Sequence, residues 1–172
     1  VSANNSVAQI SRVVENLSHA WGRPVDGSLR CSFPAPSDLG CASQTDVLAC
    51  KAGFRSRSIC EAAAKVAGGQ LDLDAVAAMD YHAAKQELML LRGVGEKVAD
   101  CVLLFSMGKF EAFPVDVWIE RAVRHLFFGG EQVSHREIRQ WAAANFGLLA
   151  GYAQEYLFAY ARLAIPDKLR NG

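Results

Sequence analysis

The chain has 172 residues, 51% of them hydrophobic, and its 18 basic and 18 acidic residues balance at a sequence pI near 7.0. This composition excludes a disordered chain, and it lacks the strongly basic balance of many nucleic-acid-binding proteins without excluding a local basic face. No apolar run approaches the roughly 18 residues that a membrane span needs. The five cysteines are widely spaced and form no C-x-x-C pair, which favours a reducing, intracellular setting and predicts neither a zinc site nor an iron–sulfur cluster.

Helical periodicity of the apolar residues dominates the chain. It predicts helices at 4–19, 45–50, 55–67, 72–79, 81–90, 95–107, 117–127, 134–146 and 150–164. No capping residue is evident before the first of these, so we expect the chain to begin inside a larger protein. Residues 22–44 predict a surface loop, with at most a short strand at 25–33, because Pro34 and Pro36 disfavour a helix there. The prediction is one all-α domain of short helices over residues 1–172.

The segment "LRGVGEKVADC", residues 91–101, joins two of these helices through a hairpin, and the two helices with their turn occupy about 81–107. Gly93 and Gly95 flank Val94, and glycine permits backbone conformations that are closed to other residues. The free N–H groups that begin the second helix are suited to binding a phosphate. A hairpin of two helices with no ligand is the alternative.

Lys97 lies in the first turn of the second helix, with Cys101 one turn further along the same face. The helix dipole prefers an anion at this end, which disfavours the charged form of the amine. A neutral lysine amine is a nucleophile toward a sugar carbon or an aldehyde. The alternative is a surface lysine paired with Asp100, three residues further on.

Asp116 follows Pro114 in "AFPVDVWIERAV", residues 112–123, at the position of a helix N-cap. A capping role alone would explain it. However, a carboxylate that is held by backbone N–H groups stays ionised, so it can also stabilise positive charge on a deoxyribose ring or accept a proton.

"LRGVGEKVADC" followed by "FPVDVW" resembles the helix-hairpin-helix, Gly/Pro-rich loop and aspartate signature of DNA glycosylases. A lysine in the hairpin marks the bifunctional glycosylase/lyase branch, and "GVGEKVADCVLLF" with "PVDV" closely resembles the 8-oxoguanine DNA glycosylase family. Further similar segments follow the family's order: "SANNSVAQI" at 2–10, "KAGFRSRSI" at 51–59 and "GYAQEYLF" at 151–158. The resemblance implies a helix-hairpin-helix glycosylase fold, with two small helical lobes around a cleft.

The resemblance also implies roles in base excision. Lys97 would attack C1′ of the damaged nucleotide and form a Schiff base, and Asp116 would stabilise the oxocarbenium-like transition state. Cys101 and Phe158 would sandwich the extruded base, while Gln154 would hydrogen-bond its edge. Without the resemblance, Phe158 could equally be a core aromatic, Gln154 a surface residue and Cys101 a small buried hydrophobe.

A second group of residues would contact the DNA. Asn4 would approach the base left behind, and Phe54 would wedge into the gap with Arg55 beside it, since base extrusion leaves a hole in the stack. The other DNA-binding positions are Gly93, Val94, Gly95 and Trp118.

Three features depart from the family pattern. Animal members carry an arginine that reads the opposite cytosine where Gln9 stands, so opposite-base selectivity is expected to be relaxed. They carry a histidine where Trp118 stands, which puts a proton relay at this position in doubt. The family also has an N-terminal antiparallel β domain, and nothing here corresponds to it, so a fragment of a longer protein is expected.

The predicted function is a bifunctional DNA glycosylase/AP lyase that excises 8-oxoguanine, without a metal or other cofactor. The expected partner is double-stranded DNA containing oxidised guanine, bound by a monomer with no membrane association. The protein would work with the genome, in the nucleus of a eukaryote or in the cytoplasm and nucleoid of a bacterium. The alternatives are a non-enzymatic helix-hairpin-helix DNA-binding module and a related glycosylase for another damaged base. The endonuclease-III-like branch usually has a four-cysteine cluster near its C-terminus, and no cysteine follows Cys101.

Overall fold

A computed structural model describes residues 1–2 and 4–163, and it confirms the all-α prediction. The helices of this part of the chain are α1 (Val7–Trp21), α2 (Pro36–Gly40), α3 (Gln44–Val47), α4 (Ser56–Ala67), α5 (Leu73–Ala78), α6 (Tyr81–Met89), α7 (Glu96–Met107), α8 (Val117–Phe127), α9 (His135–Phe146) and α10 (Ala150–Leu163). Short π and 3₁₀ turns cover Leu48–Ala52, Gly53–Arg55 and Gly147–Leu149. These residues form no strand beyond an isolated antiparallel bridge between Pro24 and Cys31. None of the described helices is long and apolar enough to cross a membrane.

The sequence prediction was wrong at the starts of two helices. Pro36 begins α2 instead of preventing a helix, because the first helical position needs no backbone N–H and suits the fixed φ of proline. The first helix does have a cap, since the Ser6 hydroxyl accepts a hydrogen bond from the Gln9 amide at 3.3 Å and α1 starts at Val7. Ala164, the last residue of the predicted final helix, lies outside the described residues.

The described chain divides into two compact units. Unit 1 comprises the described residues of 1–79 together with Gln86–Val94. Its core joins α1, α2, α3 and the π turn that follows α3, and the buried residues are Val13, Leu17, Leu39, Val47, Cys50 and Ala52. α4 covers this core with Ile59, Cys60 and Ala63, so its outer face remains at the surface.

Unit 2 comprises Asp80–Lys85 and the described residues from Gly95 onward. Its core forms around α8, α9 and α10, and the buried residues are Phe113, Val115, Ile119, Val123, Ile138, Ala142 and Ala150. α7 belongs to this unit and buries Ala99, Leu103 and Leu104. The helix that carries Lys97 and the helix that carries Gln154 therefore lie in the same unit.

Gly151 fixes the start of α10 against α7 and the loop that follows it. Its N–H donates to the Phe110 carbonyl at 2.7 Å, and an added Cβ would lie 2.3 Å from Leu104 Cδ1 and 2.9 Å from the Phe110 carbonyl oxygen. Neither gap accommodates a methyl group. We expect Gly151→Ala to lower the free energy of unfolding by about 1–3 kcal/mol, although alanine favours a helix.

Gly95→Ala is the comparison variant, since an added Cβ would meet no atom within 4 Å and φ is −96°, so it should lose only the preference for glycine over alanine at the N-cap of α7. Urea unfolding of both variants would measure their free energies of unfolding. Equal stability of Gly151→Ala and the wild type would contradict the close packing at this position.

Candidate active site

The two hairpin positions, 93 and 95, hold glycine for different physical reasons. Gly93 has a φ of +77°, and Val94 donates a backbone hydrogen bond to Leu91 at 3.1 Å, so the turn requires a left-handed residue. Gly95, the N-cap of α7, has an extended φ of −96° that any residue adopts. The predicted conformational need for glycine therefore holds at Gly93 and is wrong at Gly95. At Gly95 neither the backbone nor neighbouring protein atoms exclude a side chain.

Lys97, Cys101 and Asp116 lie together in unit 2. Burial raises the pKa of the half-buried Cys101 thiol, and the nearby carboxylates of Asp100 and, to a smaller extent, Asp116 add to that rise. Lys97 opposes it, because its ammonium group is close to the thiol and hydrogen-bonds to it. The Lys97 amine therefore contacts the Cys101 thiol, and the Asp116 carboxylate, 19 residues after Lys97 in the chain, lies close enough to influence the charge of that thiol.

Asp116 is the N-cap of α8, as predicted. Its Oδ1 accepts hydrogen bonds from the backbone N–H groups of Trp118 at 3.0 Å and Ile119 at 2.9 Å. Pro114 and Val115 precede it and are both buried, and their burial holds the start of the helix in place. The carboxylate is only half-buried, so capping leaves part of it accessible to a ligand.

Trp118 follows the cap with its side chain half-buried against Ala122 and Ala161. The Arg121 guanidinium lies 5.9 Å from the centre of its ring. These contacts explain a large apolar side chain at this position, and the DNA-binding role of Trp118 stays a prediction.

Asp100 does not pair with Lys97, so the simple surface ion pair considered from the sequence is wrong. The Asp100 side chain is fully buried, Lys85 Nζ lies 2.8 Å from its Oδ1, and the Tyr81 hydroxyl donates to the same oxygen at 2.7 Å. Burial raises the pKa of Asp100, and the hydrogen bonds from Lys85 and Tyr81 oppose that rise. Burial also raises the pKa of Tyr81, beside the Asp100 carboxylate.

Sequence reasoning missed this buried Tyr81–Lys85–Asp100 cluster. A signal was available, because Asp100 lies at helical spacing from the apolar Leu103 and Leu104, on the face of α7 that a core would cover. A charged residue on such a face requires a partner. The sequence does not show that the partners would come from α6.

Gln154 and Phe158 lie one turn apart on α10, on the same face as Gly151. At Gly151 this face packs against Leu104 of α7. Gln154 is buried, and its Oε1 has no hydrogen-bond partner in the described structure, which contradicts a surface position. Phe158 packs, partly buried, against the unit 2 core, and Arg162 lies 5.8 Å from its ring centre.

Asn4, Phe54 and Arg55 form a group of their own in unit 1. The Arg55 guanidinium lies 4.3 Å from the centre of the Phe54 ring, and it donates hydrogen bonds to the carbonyls of Asn4 and Ala52. Phe54 is 71% exposed, so the protein offers an aromatic ring to solvent on a backbone that Arg55 holds in place.

The model of the HhH-GPD superfamily of base excision DNA repair proteins matches residues 1–146. The chain belongs to this superfamily. A probable N-glycosylase/DNA lyase of Methanothermobacter thermautotrophicus is 35% identical, over 99% of this chain and 61% of its own length. The HhH-GPD chain therefore spans less than two thirds of the length of this relative.

Two solved structures show the HhH-GPD fold in closely similar form. The Clostridium acetobutylicum 8-oxoguanine glycosylase/lyase, in complex with double-stranded DNA containing cytosine opposite 8-oxoguanine, is 36% identical with a TM-score of 0.89. It is matched over 94% of this chain and 56% of its own. MBOgg1, in complex with a low-affinity DNA ligand, is 39% identical with a TM-score of 0.90, over the same shares of the two chains.

Proposed function

We propose that the chain is the catalytic part of a bifunctional DNA glycosylase/AP lyase that excises 8-oxoguanine from duplex DNA. One observation carries the proposal: within unit 2 the Lys97 amine hydrogen-bonds to the Cys101 thiol, and the Asp116 carboxylate, held by the N–H groups of Trp118 and Ile119, lies near the same thiol. A non-enzymatic DNA-binding module would need the hairpin, but it would have no use for an amine and a carboxylate at one thiol. The family and the glycosylase and lyase activities of the relatives support the same function.

In the proposed reaction, the Lys97 amine forms a bond to C1′ as the bond between C1′ and the base breaks. The departing base takes the bonding electrons and is protonated by solvent. Asp116 stabilises the positive charge that develops on the sugar and accepts the proton that the attacking nitrogen loses. Opening of the sugar ring leaves a Schiff base on Lys97. Loss of a C2′ proton to solvent then expels the 3′ phosphate, which leaves with the electrons of the C3′–O bond, and this nicks the strand.

Base recognition is proposed for the face of α10 that carries Gln154 and Phe158. A buried oxygen without a hydrogen-bond partner is costly in a protein interior, by about 1–3 kcal/mol, so Gln154 Oε1 is suited to accept a hydrogen bond from a ligand. Phe158 offers an aromatic surface one turn away, and stacking on such a surface tolerates any base. Gln154 would therefore provide selectivity, and Phe158 would provide affinity.

Contacts to the rest of the duplex are proposed for the hairpin and for unit 1. The open space at Gly95 allows a DNA phosphate to approach the N-terminus of α7, where the free N–H groups and the helix dipole favour an anion. The exposed Phe54 would fill the gap left by the extruded base, with Asn4 close to the unpaired base. The protein would thus work at the genome.

The substrate assignment predicts opposite effects of Gln154→Leu on stability and on activity. Leucine removes the unpaired buried oxygen at similar volume, so the free energy of unfolding should not fall. Single-turnover excision of 8-oxoguanine should fall by roughly 10- to 100-fold, because the hydrogen bond to the base is lost. Excision should be compared with that of an alkylated purine, which would lose much less.

Gln140→Leu is the matched control, because Gln140 is an exposed glutamine in the same unit. It should change neither measurement. If Gln154→Leu unfolds more easily and slows both lesions by one common factor, Gln154 is a structural residue and the 8-oxoguanine assignment loses its support. Duplex binding by the wild type without excision of any lesion would favour the binding-module alternative.

A further inference from the structure

Two arginines of unit 1 converge on one carboxylate beside the hairpin. Arg57 Nε on α4 lies 2.7 Å from Glu61 Oε1, and Arg92 Nε, in the turn before Gly93, lies 4.0 Å from Glu61 Oε2. The arginine side chains are 55% and 56% exposed. Each guanidinium therefore has N–H groups directed to solvent while its Nε faces Glu61.

The position of this arginine pair relative to the hairpin is well defined. Ser58 follows Arg57 on α4 and packs against the turn, since a Cβ at Gly93 would lie 2.7 Å from Ser58 Oγ. Gly93 follows Arg92 directly and has a left-handed φ of +77°. Contact between Ser58 and Gly93 thus fixes α4 and the turn together, which places both arginines on the hairpin side of unit 1.

The cluster carries a positive charge. The hydrogen bond from Arg57 lowers the pKa of the Glu61 carboxyl, with help from the charges of Arg57, Arg92 and Lys65, so Glu61 stays ionised. One carboxylate against two guanidinium groups leaves one net positive charge. A stability role does not account for it, because exposed ion pairs contribute little. Guanidinium groups held on a carboxylate are restrained, and they match the geometry of a phosphate.

We propose that Arg57 and Arg92, oriented by Glu61, form a fork that binds one backbone phosphate of duplex DNA next to the hairpin. This inference rests on the proposed function, since it takes DNA as the ligand. The fork adds affinity without regard to sequence or lesion, because phosphate contacts position a protein and carry no base information. It acts on binding and leaves the chemistry at Lys97 unchanged.

The test is the salt dependence of binding to an undamaged duplex, measured by fluorescence anisotropy. The double variant Arg57→Ala/Arg92→Ala should bind about three- to tenfold more weakly at moderate salt, and the slope of log K against log salt should decrease by about 1. Single-turnover excision at saturating DNA should be unchanged. Arg30→Ala, which removes an exposed arginine from the loop between α1 and α2 of the same unit, should match the wild type.

A second variant separates the effect of the guanidinium geometry on affinity from the effect of positive charge alone. Arg57→Lys/Arg92→Lys keeps both charges, so its salt slope should stay near that of the wild type while its affinity falls about two- to threefold. Wild-type affinity in this variant would overturn the fork geometry. An unchanged slope and affinity in the alanine variant would overturn the site itself, while borohydride trapping by the same variant would still support the glycosylase. A wild type that binds no duplex would overturn both proposals.

Discussion

Lys97→Gln should abolish the covalent adduct that borohydride traps between the protein and an 8-oxoguanine duplex. The amine forms the bond to C1′ in the proposed reaction, and an amide nitrogen is not nucleophilic. Base release and strand nicking should fall together, by roughly 10³-fold or more. Affinity for the duplex should change little, because the proposed phosphate contacts come from the hairpin backbone and from unit 1.

Glutamine is the informative replacement at this position. It can still donate a hydrogen bond to the Cys101 sulfur, so the thiol keeps a partner while the nucleophile and its charge are removed. Lys65→Gln, which removes one positive charge from α4 in unit 1, is the matched control and should be trapped like the wild type. An adduct formed by Lys97→Gln would show that another amine is the nucleophile.

The second large effect concerns the buried Tyr81–Lys85–Asp100 cluster. Lys85→Met should lower the free energy of unfolding at neutral pH by about 3–5 kcal/mol, because Asp100 would remain as a buried charge without its cation. Lys85→Met/Asp100→Leu should recover most of this loss, since apolar side chains of similar volume replace a buried ion pair at little cost. Urea unfolding of the single and double variants would measure both values.

The pH dependence of this loss has a definite sign. Burial raises the pKa of Asp100 already in the wild type, and removal of Lys85 should raise it further. A carboxyl group whose folded pKa exceeds its unfolded pKa opposes folding increasingly as the pH rises through the folded value. The destabilisation in Lys85→Met should therefore be small in acid, where Asp100 is protonated, and largest at neutral pH.

Arg57→Met is the control for the ion-pair argument, because it breaks the exposed pair with Glu61 and should change stability little. A loss in Lys85→Met that does not vary with pH would show that the packing of the lysine stem matters more than the charge. A double variant that regains stability but still excises slowly would show that the cluster positions α7, the helix that carries Lys97.

The sequence by itself determined the helices and the local chemistry of their ends. Apolar spacing located most of the helices, and α8 begins and ends where predicted, because both a capping aspartate and an amphipathic face act within one segment. The errors at Ser6 and Pro36 concerned single positions at helix starts. There the cap or the first helical residue is defined by backbone geometry, which apolar spacing does not report.

Only the tertiary structure decided which distant residues meet. The proximity of Lys97 and Asp116 to Cys101, the burial of Gln154 and the pairing of Asp100 with Lys85 all depend on how the helices of unit 2 pack. The same holds in unit 1, where Glu61 pairs with Arg92, which lies 31 residues further along the chain. Periodicity shows that a helix has a face to bury, but the partner of that face is selected by the packing of the whole unit, to which every other segment contributes.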